Sequence, residues 1–414
     1  MNRTQRNYAW IVVGILWFVS MLNYLDRLLI ASMRDPIKDS IPMTDAQFGL
    51  LTSVFLIIYA ILSPLGGYLA DRFSRKWVIF ISLLVWSVIT LWTGFVHSYA
   101  ELFATRAIMG ISEAFYMPAA VALVMDYHKG STRSLASGIL MTGLYAGMAL
   151  GGLGGYIATI WDWRFGYQVF GVLGIFYAAI VFFTLKDAPK TQVEIQDKNT
   201  NGSNDDEFNI FEMLRSLFSS RGYLTILFYG GLVGMSFWLI YAWLPTFFKE
   251  GFNLSLGEAG VSGTAFIQIA SLIGVLIGGF LADRWARKNN KGRLYITAIG
   301  FLVGGPFLYL MAAADMYWIA VLGITIFGLT KGFHDANFMP IITQTVDKRY
   351  QATGYGIMSF FSVMIGAIMI YVGGALKDVG ISLDLVFKIA AVGIFISGLV
   401  LLTIRPRTNG VDEV

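Results

Sequence analysis

The stretch GGYLADRFSRK occupies residues 66–76, and GGFLADRWARK occupies residues 278–288. The two copies differ at only three positions (Tyr68/Phe280, Phe73/Trp285 and Ser74/Ala286) and lie 212 residues apart. Such a repeat marks an internal duplication. Each copy closes a long apolar run and ends in a basic cluster. The fold must therefore have two halves that need the same junction between an apolar segment and a charged turn.

Composition says what surrounds those runs. Of the 414 residues, 56% are hydrophobic and 14% are charged, with mean hydropathy +0.65. A soluble domain carries about 25% charged residues, so this composition points to a polytopic membrane protein. The 45 glycines suit closely packed transmembrane helices. With no cysteine, disulfides, thiol catalysis and Cys-based metal sites are excluded. Three scattered histidines (His97, His128, His334) make no metal site. There is no nucleotide loop and no Ser-His-Asp set, so neither an enzyme nor a cofactor is expected. The net charge of +4 does not indicate nucleic acid, because the basic residues sit in short turns between apolar runs. No cleavable leader is expected either: NYAWIVVGILWFVSMLNYLDRLLIA is long enough to span and lacks a small-residue cleavage site.

A bilayer-spanning helix needs about 20 mostly apolar residues. Twelve such runs are expected, near 9–31, 45–70, 77–96, 100–126, 134–160, 165–185, 222–248, 258–282, 293–313, 316–344, 351–376 and 382–404. Six belong to an N-terminal half, 1–188, and six to a C-terminal half, 222–414. The polar stretch 189–221 is the linker. Within it Phe208, Phe211, Leu214 and Phe218 recur at helical spacing, so it either lies partly flat on the membrane or is plain disordered chain. With the N-terminus in the cytoplasm, 21 of the 30 Lys and Arg fall in cytoplasmic segments and six fall outside. That bias orients the chain, with both termini and both opening motifs on the cytoplasmic side. Two six-span halves related by an axis along the membrane normal are a transporter architecture.

The opening motifs resemble the G-x-L-a-D-r-x-g-r-[k/r] signature of the major facilitator superfamily. The match runs through Gly67, Leu69, Asp71, Arg72, Arg75 and Lys76, and again through Gly279, Leu281, Asp283, Arg284, Arg287 and Lys288. Ser74 and Ala286 replace a common glycine with another small residue. The resemblance implies twelve transmembrane helices in two pseudo-symmetric six-helix halves around a central cavity. The physics of the junction points the same way. Glycine lets helices approach, the aspartate sits at a helix end, and the arginines anchor at headgroups. Such a charge latch can be made and broken, which suits a cytoplasmic gate. The alternative is that these residues only set topology.

A second repeat is subtler. EAFYMPAA begins at Glu113 and DANFMPII at Asp335, so the fourth and tenth spans share an acid followed five residues later by a proline. Ionisable groups inside spans are expensive, and each is a functional candidate. They are Asp26, Arg27, Arg106, Glu113, Lys331, His334 and Asp335. With His334 neutral, three acids balance three bases.

Adjacent helix residues point about 100° apart, so Arg27 can face a cavity while Asp26 contacts the fourth span. The Arg27 fork suits a carboxylate; the alternative is a structural pair with Glu113. Burial opposes charge on Glu113 and a guanidinium favours it, a balance that suits proton loading. Arg106 lies seven residues earlier on the same face. Lys331, His334 and Asp335 share one face of the tenth span, while Asn337 lies off it. A histidine here is either a site residue or a satisfied structural one.

RAIMGISEA also resembles the superfamily's fourth-span R-x-x-x-G signature, which the family links to proton coupling; a helix-packing role for Arg106 stays open. NYLDR and GISEAFYMPAA are most similar to the anion:cation symporter group, with features of the Spinster group, whose members move lysolipids. The first resemblance implies substrate and proton roles for Tyr24, Arg27, Tyr59 and the Asp26/Glu113 pair. Tyr145, Tyr241 and Gln268 are further cavity candidates, with helix packing the alternative. The expected protein is a monomer in a bacterial inner membrane, moving a small organic anion such as a sugar acid with a proton. A lysolipid or other amphiphile is the second expectation.

Overall fold

In a bilayer each backbone polar group must be satisfied internally, which helices achieve within one segment. The computed structural model describes residues 3–128, 132–188, 210–346 and 350–404, and among these there are helices and turns but no strand. In chain order the helices are α1 (Arg3–Ser32), α2 (Arg34–Ser40), α3 (Asp45–Arg72), α4 (Arg75–Thr93), α5 (Tyr99–Glu113), α6 (Tyr116–Tyr127), α7 (Arg133–Leu150), α8 (Gly154–Ile160) and α9 (Trp163–Thr184). There follow α10 (Ile210–Ser219), α11 (Arg221–Phe252), α12 (Leu256–Ala286), α13 (Gly292–Ala313), α14 (Tyr317–Thr343), α15 (Gln351–Asp378) and α16 (Leu383–Thr403). The pairs α5/α6 and α7/α8 each make one interrupted crossing.

Eleven crossings among the described residues are long and apolar enough to span a bilayer. The twelfth, α14, is 27 residues long and is the one diluted by Lys331, His334 and Asp335. The architecture is that of two six-helix halves around a cavity. Several helices start on capping boxes: Thr44 with Gln47, Ser98 with Glu101 and Ser255 with Glu258 satisfy otherwise orphaned N–H groups. In the expected linker, Phe208 and the Phe211 side chain lie outside the described residues. In α10, Leu217 is buried, and the exposed Phe218 packs edge-on against Tyr223, with ring centroids 6.1 Å apart.

The two copies of the opening motif fold differently. In the first, α3 stops at Arg72, and Ser74 starts α4 by accepting the Trp77 amide proton at 3.4 Å. In the second, Ala286 has no hydroxyl to cap a new helix; it is the last residue of α12, and the next helix starts at Gly292. The close helix approach expected of Gly67 and Gly279 belongs instead to their neighbours. A Cβ on Gly66 would sit 2.5 Å from the Ala114 carbonyl oxygen, and one on Gly278 would sit 2.6 Å from the Phe333 Cα. Gly67 faces open space, and Gly279 meets only Ala336 at 3.7 Å, because each points about 100° away from the contact.

At the opposite end of the molecule the halves close on each other. Along α3 and α15, Ser53 Oγ donates to the Ala367 carbonyl at 2.6 Å, and a Cβ on Gly374 would collide with the Asp45 carbonyl. Along α7/α8 and α12, Gly152 and Gly260 meet backbone to backbone, and Thr264 Oγ1 donates to the Ala149 carbonyl at 3.0 Å. Ion pairs cover this seam. Lys249 binds Asp35, and Arg34 reaches Glu250 at 3.5 Å. Both Asp378 oxygens accept amide protons at the start of α3, from Asp45 at 2.7 Å and Ala46 at 2.8 Å. A cavity lies on the motif side of the seam: residues 359–363 of α15 line it, whereas residues 367–374 of the same helix make the seam.

Candidate functional site

The cavity holds about 380 Å³ and takes its wall from both halves. From the N-terminal half come Tyr24 and Arg27 on α1 and Met141, Tyr145 and Met148 on α7. From the C-terminal half come Phe237, Trp238 and Tyr241 on α11 and Lys331, His334, Asp335 and Phe338 on α14. The helical register that put Arg27 toward a cavity is thus realised. The triplet Lys331, His334 and Asp335 shares one face of α14 as its spacing predicts.

Arg27 Nε donates to Glu113 Oε2 at 2.6 Å, and both side chains are buried. The pair is incompletely satisfied: Arg27 Nη2 and Glu113 Oε1 are buried without a hydrogen-bond partner. Three rings surround the guanidinium, Tyr24 at 4.6 Å, Phe55 at 5.1 Å and Tyr59 at 4.4 Å. Tyr59 thus abuts Arg27 without lining the cavity itself. Glu113 ends α5, and the helix breaks at Ala114–Phe115 before resuming as α6. Pro118 contributes to the break, since it cannot donate to the Ala114 carbonyl four residues back. In α14 the corresponding Pro340 is accommodated within a continuous helix.

Asp26 turns the other way and accepts from Thr90 Oγ1 on α4 at 2.6 Å. Its hydrogen bond is therefore to the third crossing rather than the expected fourth. Arg106 is buried behind the Arg27–Glu113 pair, over the Tyr167 ring at 5.2 Å and 3.5 Å from Met109 Sδ. It does not line the cavity, because two helical turns set it about 10 Å along the axis from Glu113, in the packing between helices.

In the other half Lys331 Nζ binds Asp335 one turn on, and Asp335 Oδ2 also accepts from Tyr145 OH at 2.8 Å. That last hydrogen bond crosses between the halves. His334 Nδ1 is paired with Tyr229 OH, and its ring sits among Phe237, Phe301 and Phe338. It lines the cavity and is structurally satisfied at once.

Two expected substrate contacts lie elsewhere. Gln268 is buried in α12 and is not among the lining residues. Asn337 donates to the Phe333 carbonyl at 2.9 Å and accepts from Arg293 Nη1 at 3.4 Å. Arg293 also pairs with Asp283 at 2.5 Å, which ties Asn337 to the opening motif rather than to the cavity. Two of the remaining gate candidates, Arg75 and Arg72, bind groups of their own half. Arg75 binds Asp126 and the Ala122 carbonyl, and Arg72 donates to Tyr68 OH at 2.6 Å. Arg284 and Arg287 are exposed, and the Asp71 side chain lies outside the described residues. Sequence reasoning missed Phe55, Phe237, Trp238, Phe338 and Thr90, since an aromatic or a threonine in an apolar run carries no distinguishing signal.

Residues 16–371 match the model for the Major Facilitator Superfamily. The chain is similar to Protein spinster homolog 1 of Xenopus tropicalis, 26% identical over 77% of this chain and 63% of that protein. Protein spinster of Drosophila melanogaster is 28% identical over 72% of this chain and 50% of that protein. The chain thus spans about half to two thirds of the length of these Spinster relatives. The probable sulfoacetate transporter SauU of Cupriavidus necator is 26% identical over 95% of this chain and 93% of that protein. Among solved structures, a bacterial homologue of human Spinster in an inward-facing, unoccupied conformation superposes with a TM-score of 0.76 at 19% identity. That match covers 97% of this chain and 99% of the other.

Proposed function

The chain belongs to the Major Facilitator Superfamily, and on that footing we propose that it moves a small organic anion together with a proton by alternating access. It is an integral membrane transporter rather than an enzyme. The substrate in this reading is a sugar acid, a uronate-containing saccharide or a similar carboxylate. The motif face is cytoplasmic, as the basic bias implies, and the protein works as a monomer in the plasma membrane of a bacterium.

The observation that carries this reading is the half-satisfied Arg27–Glu113 pair at the cavity wall. A proton on Glu113 removes the charge that occupies Arg27. The guanidinium is then free to receive a substrate carboxylate through two parallel hydrogen bonds, in surroundings where charge pairing is strong. Tyr24 and Tyr59 hold the guanidinium plane, and Tyr145, Tyr241, Lys331 and His334 face the rest of the substrate. Asp26 and Arg106, packed behind the pair, and Asp335 across the cavity serve the proton path. The opening motifs act as the cytoplasmic gate. Similarity to a protein named for sulfoacetate over nearly the full chain supports a small anion. A second reading, a lysolipid or other amphiphile, draws on the apolar wall of Phe237, Trp238 and Phe338 and on the Spinster relatives.

The test uses Glu113→Gln in proteoliposomes, with the sugar acid or uronate that most stabilises the wild type against heat. The neutral amide cannot load and release a proton. Counterflow exchange should persist and uphill accumulation driven by a pH gradient should vanish. Wild-type binding should weaken as pH rises, because ionised Glu113 competes for Arg27, and the variant should lose that slope. A variant that still concentrates substrate removes Glu113 from coupling.

A further inference from the structure

Two buried cations face this one cavity, and each belongs to a different half. Arg27 stands among the rings of Tyr24, Phe55 and Tyr59. Lys331 stands among Tyr145 at 5.6 Å, Phe237 at 5.2 Å and Tyr241 at 5.8 Å. Each cation is held by one carboxylate, Glu113 or Asp335, and those two acids occupy matching places in the internal repeat. The cavity therefore has two poles of the same construction: a cation, three aromatic rings and one acid.

We infer that the cavity takes a two-headed organic acid, with one anionic head at Arg27 and the other at Lys331. This rests on the anion-transport reading above and narrows it to a substrate class. Charge accounting is the first reason. A buried charge without a partner is strongly disfavoured. Two buried cations face this cavity, and a one-headed acid reaches only one of them. Two heads match both.

Placement is the second reason. Arg27 rides on α1 and Lys331 on α14, so a ligand held at both poles spans the joint between the halves. That joint is bridged by Tyr145 OH donating to Asp335. A head at Lys331 takes over the site of the Asp335 carboxylate and becomes the new acceptor for Tyr145. Loading would then replace an internal bridge by one made through the ligand. The rest of the wall is the third reason. Beyond the two poles the same cavity is lined by Trp238, Phe338, Met141 and Met148, which suit an apolar or aromatic spacer. A volume near 380 Å³ stands at the small end of ligand pockets, which run from about 300 to 1,000 Å³.

The experiment measures affinity of the purified full-length protein for matched pairs of probes. Carboxylates, sulfonates and phosphates with two heads are each compared with the analogue in which one head is a neutral amide or ester. The two-headed member of at least one pair should bind about tenfold or more tightly than its partner, as loss of one charge-assisted contact implies. The double variant Lys331→Gln/Asp335→Asn removes the second pole without leaving a lone buried carboxylate, and it should bring that ratio close to one. Equal affinity within every pair overturns the two-headed assignment and leaves the anion reading standing. So does a ratio that survives the double variant. If no anion of either kind binds while a lysolipid does, the anion reading itself fails, and the two-headed assignment fails with it.

Discussion

Removing the ion-paired lid over the seam should raise the population of molecules open on that face by about ten- to thirtyfold. The perturbation is Asp35→Asn together with Asp378→Ala. Asp35 binds Lys249 across the halves, with the two side chains 26% and 34% exposed. A pair so placed contributes roughly 0.5–1 kcal/mol after solvent screening. Asp378 caps the first two amides of α3 from the other half, and losing a cap costs about 1 kcal/mol. The sum is about 1.5–2 kcal/mol, with tenfold for each 1.4 kcal/mol. The chain has no cysteine, so Ser53→Cys provides a single reporter. Ser53 is 1% exposed inside the seam. When opening is brief and rare, its reaction rate with an impermeant thiol reagent tracks the open population. The rate should rise by the stated factor while the thermal midpoint of unfolding stays nearly constant. A change below about twofold would refute the idea that the lid holds the seam. Acid provides an independent arm. Burial pushes the Asp35 carboxyl up, but the hydrogen bond from Lys249 and the charges of Arg34 and Lys249 overcome this and hold it below its ordinary value. A depressed value means that the contribution of Asp35 is complete above the ordinary aspartate range and fades as pH falls below it. Labelling of the reporter, divided at each pH by the rate of the same reagent with a free thiol, should therefore stay flat down to about pH 4 and rise only under stronger acid.

Two further outcomes are expected. Arg27→Lys keeps the charge but loses the fork, and substrate affinity should fall about tenfold or more in a protein that still inserts; isothermal titration on the purified variant checks this, and unchanged affinity would remove Arg27 from the site. Cysteines placed at Ser74 and Ala286 should react only with reagents that reach the cytoplasm, and labelling of either from outside would reverse the topology.

Much of this molecule is legible in its sequence because membranes leave few options. Apolar run length marks the crossings, and the cost of burying charge singles out Arg27, Glu113, Lys331 and Asp335 with no structure in hand. What stays hidden is set by tertiary contact. Glu113 and Asp335 are each followed by a proline five residues on, yet only the first helix breaks. Asp378 lies 333 residues from the amide that it caps, and nothing in either local pattern announces the other. Asn337 reads as a polar residue beside a polar face, but a turn of one helical position sends it toward Arg293. The aromatic walls are invisible for a plainer reason: phenylalanine and tryptophan are ordinary in any span.

The seam between the halves has a kinetic meaning. Its closest contacts are made by glycines against backbone, at Gly152 with Gly260 and at Gly374 with Asp45, rather than by interlocking long side chains. Long side chains lose rotamer freedom each time a surface closes, and glycine has none to lose. In the proposed alternating-access cycle, which shuts and reopens this face in every turnover, such contacts carry little recurring entropic cost, and on the prediction above the polar lid sets the balance between the shut and open forms.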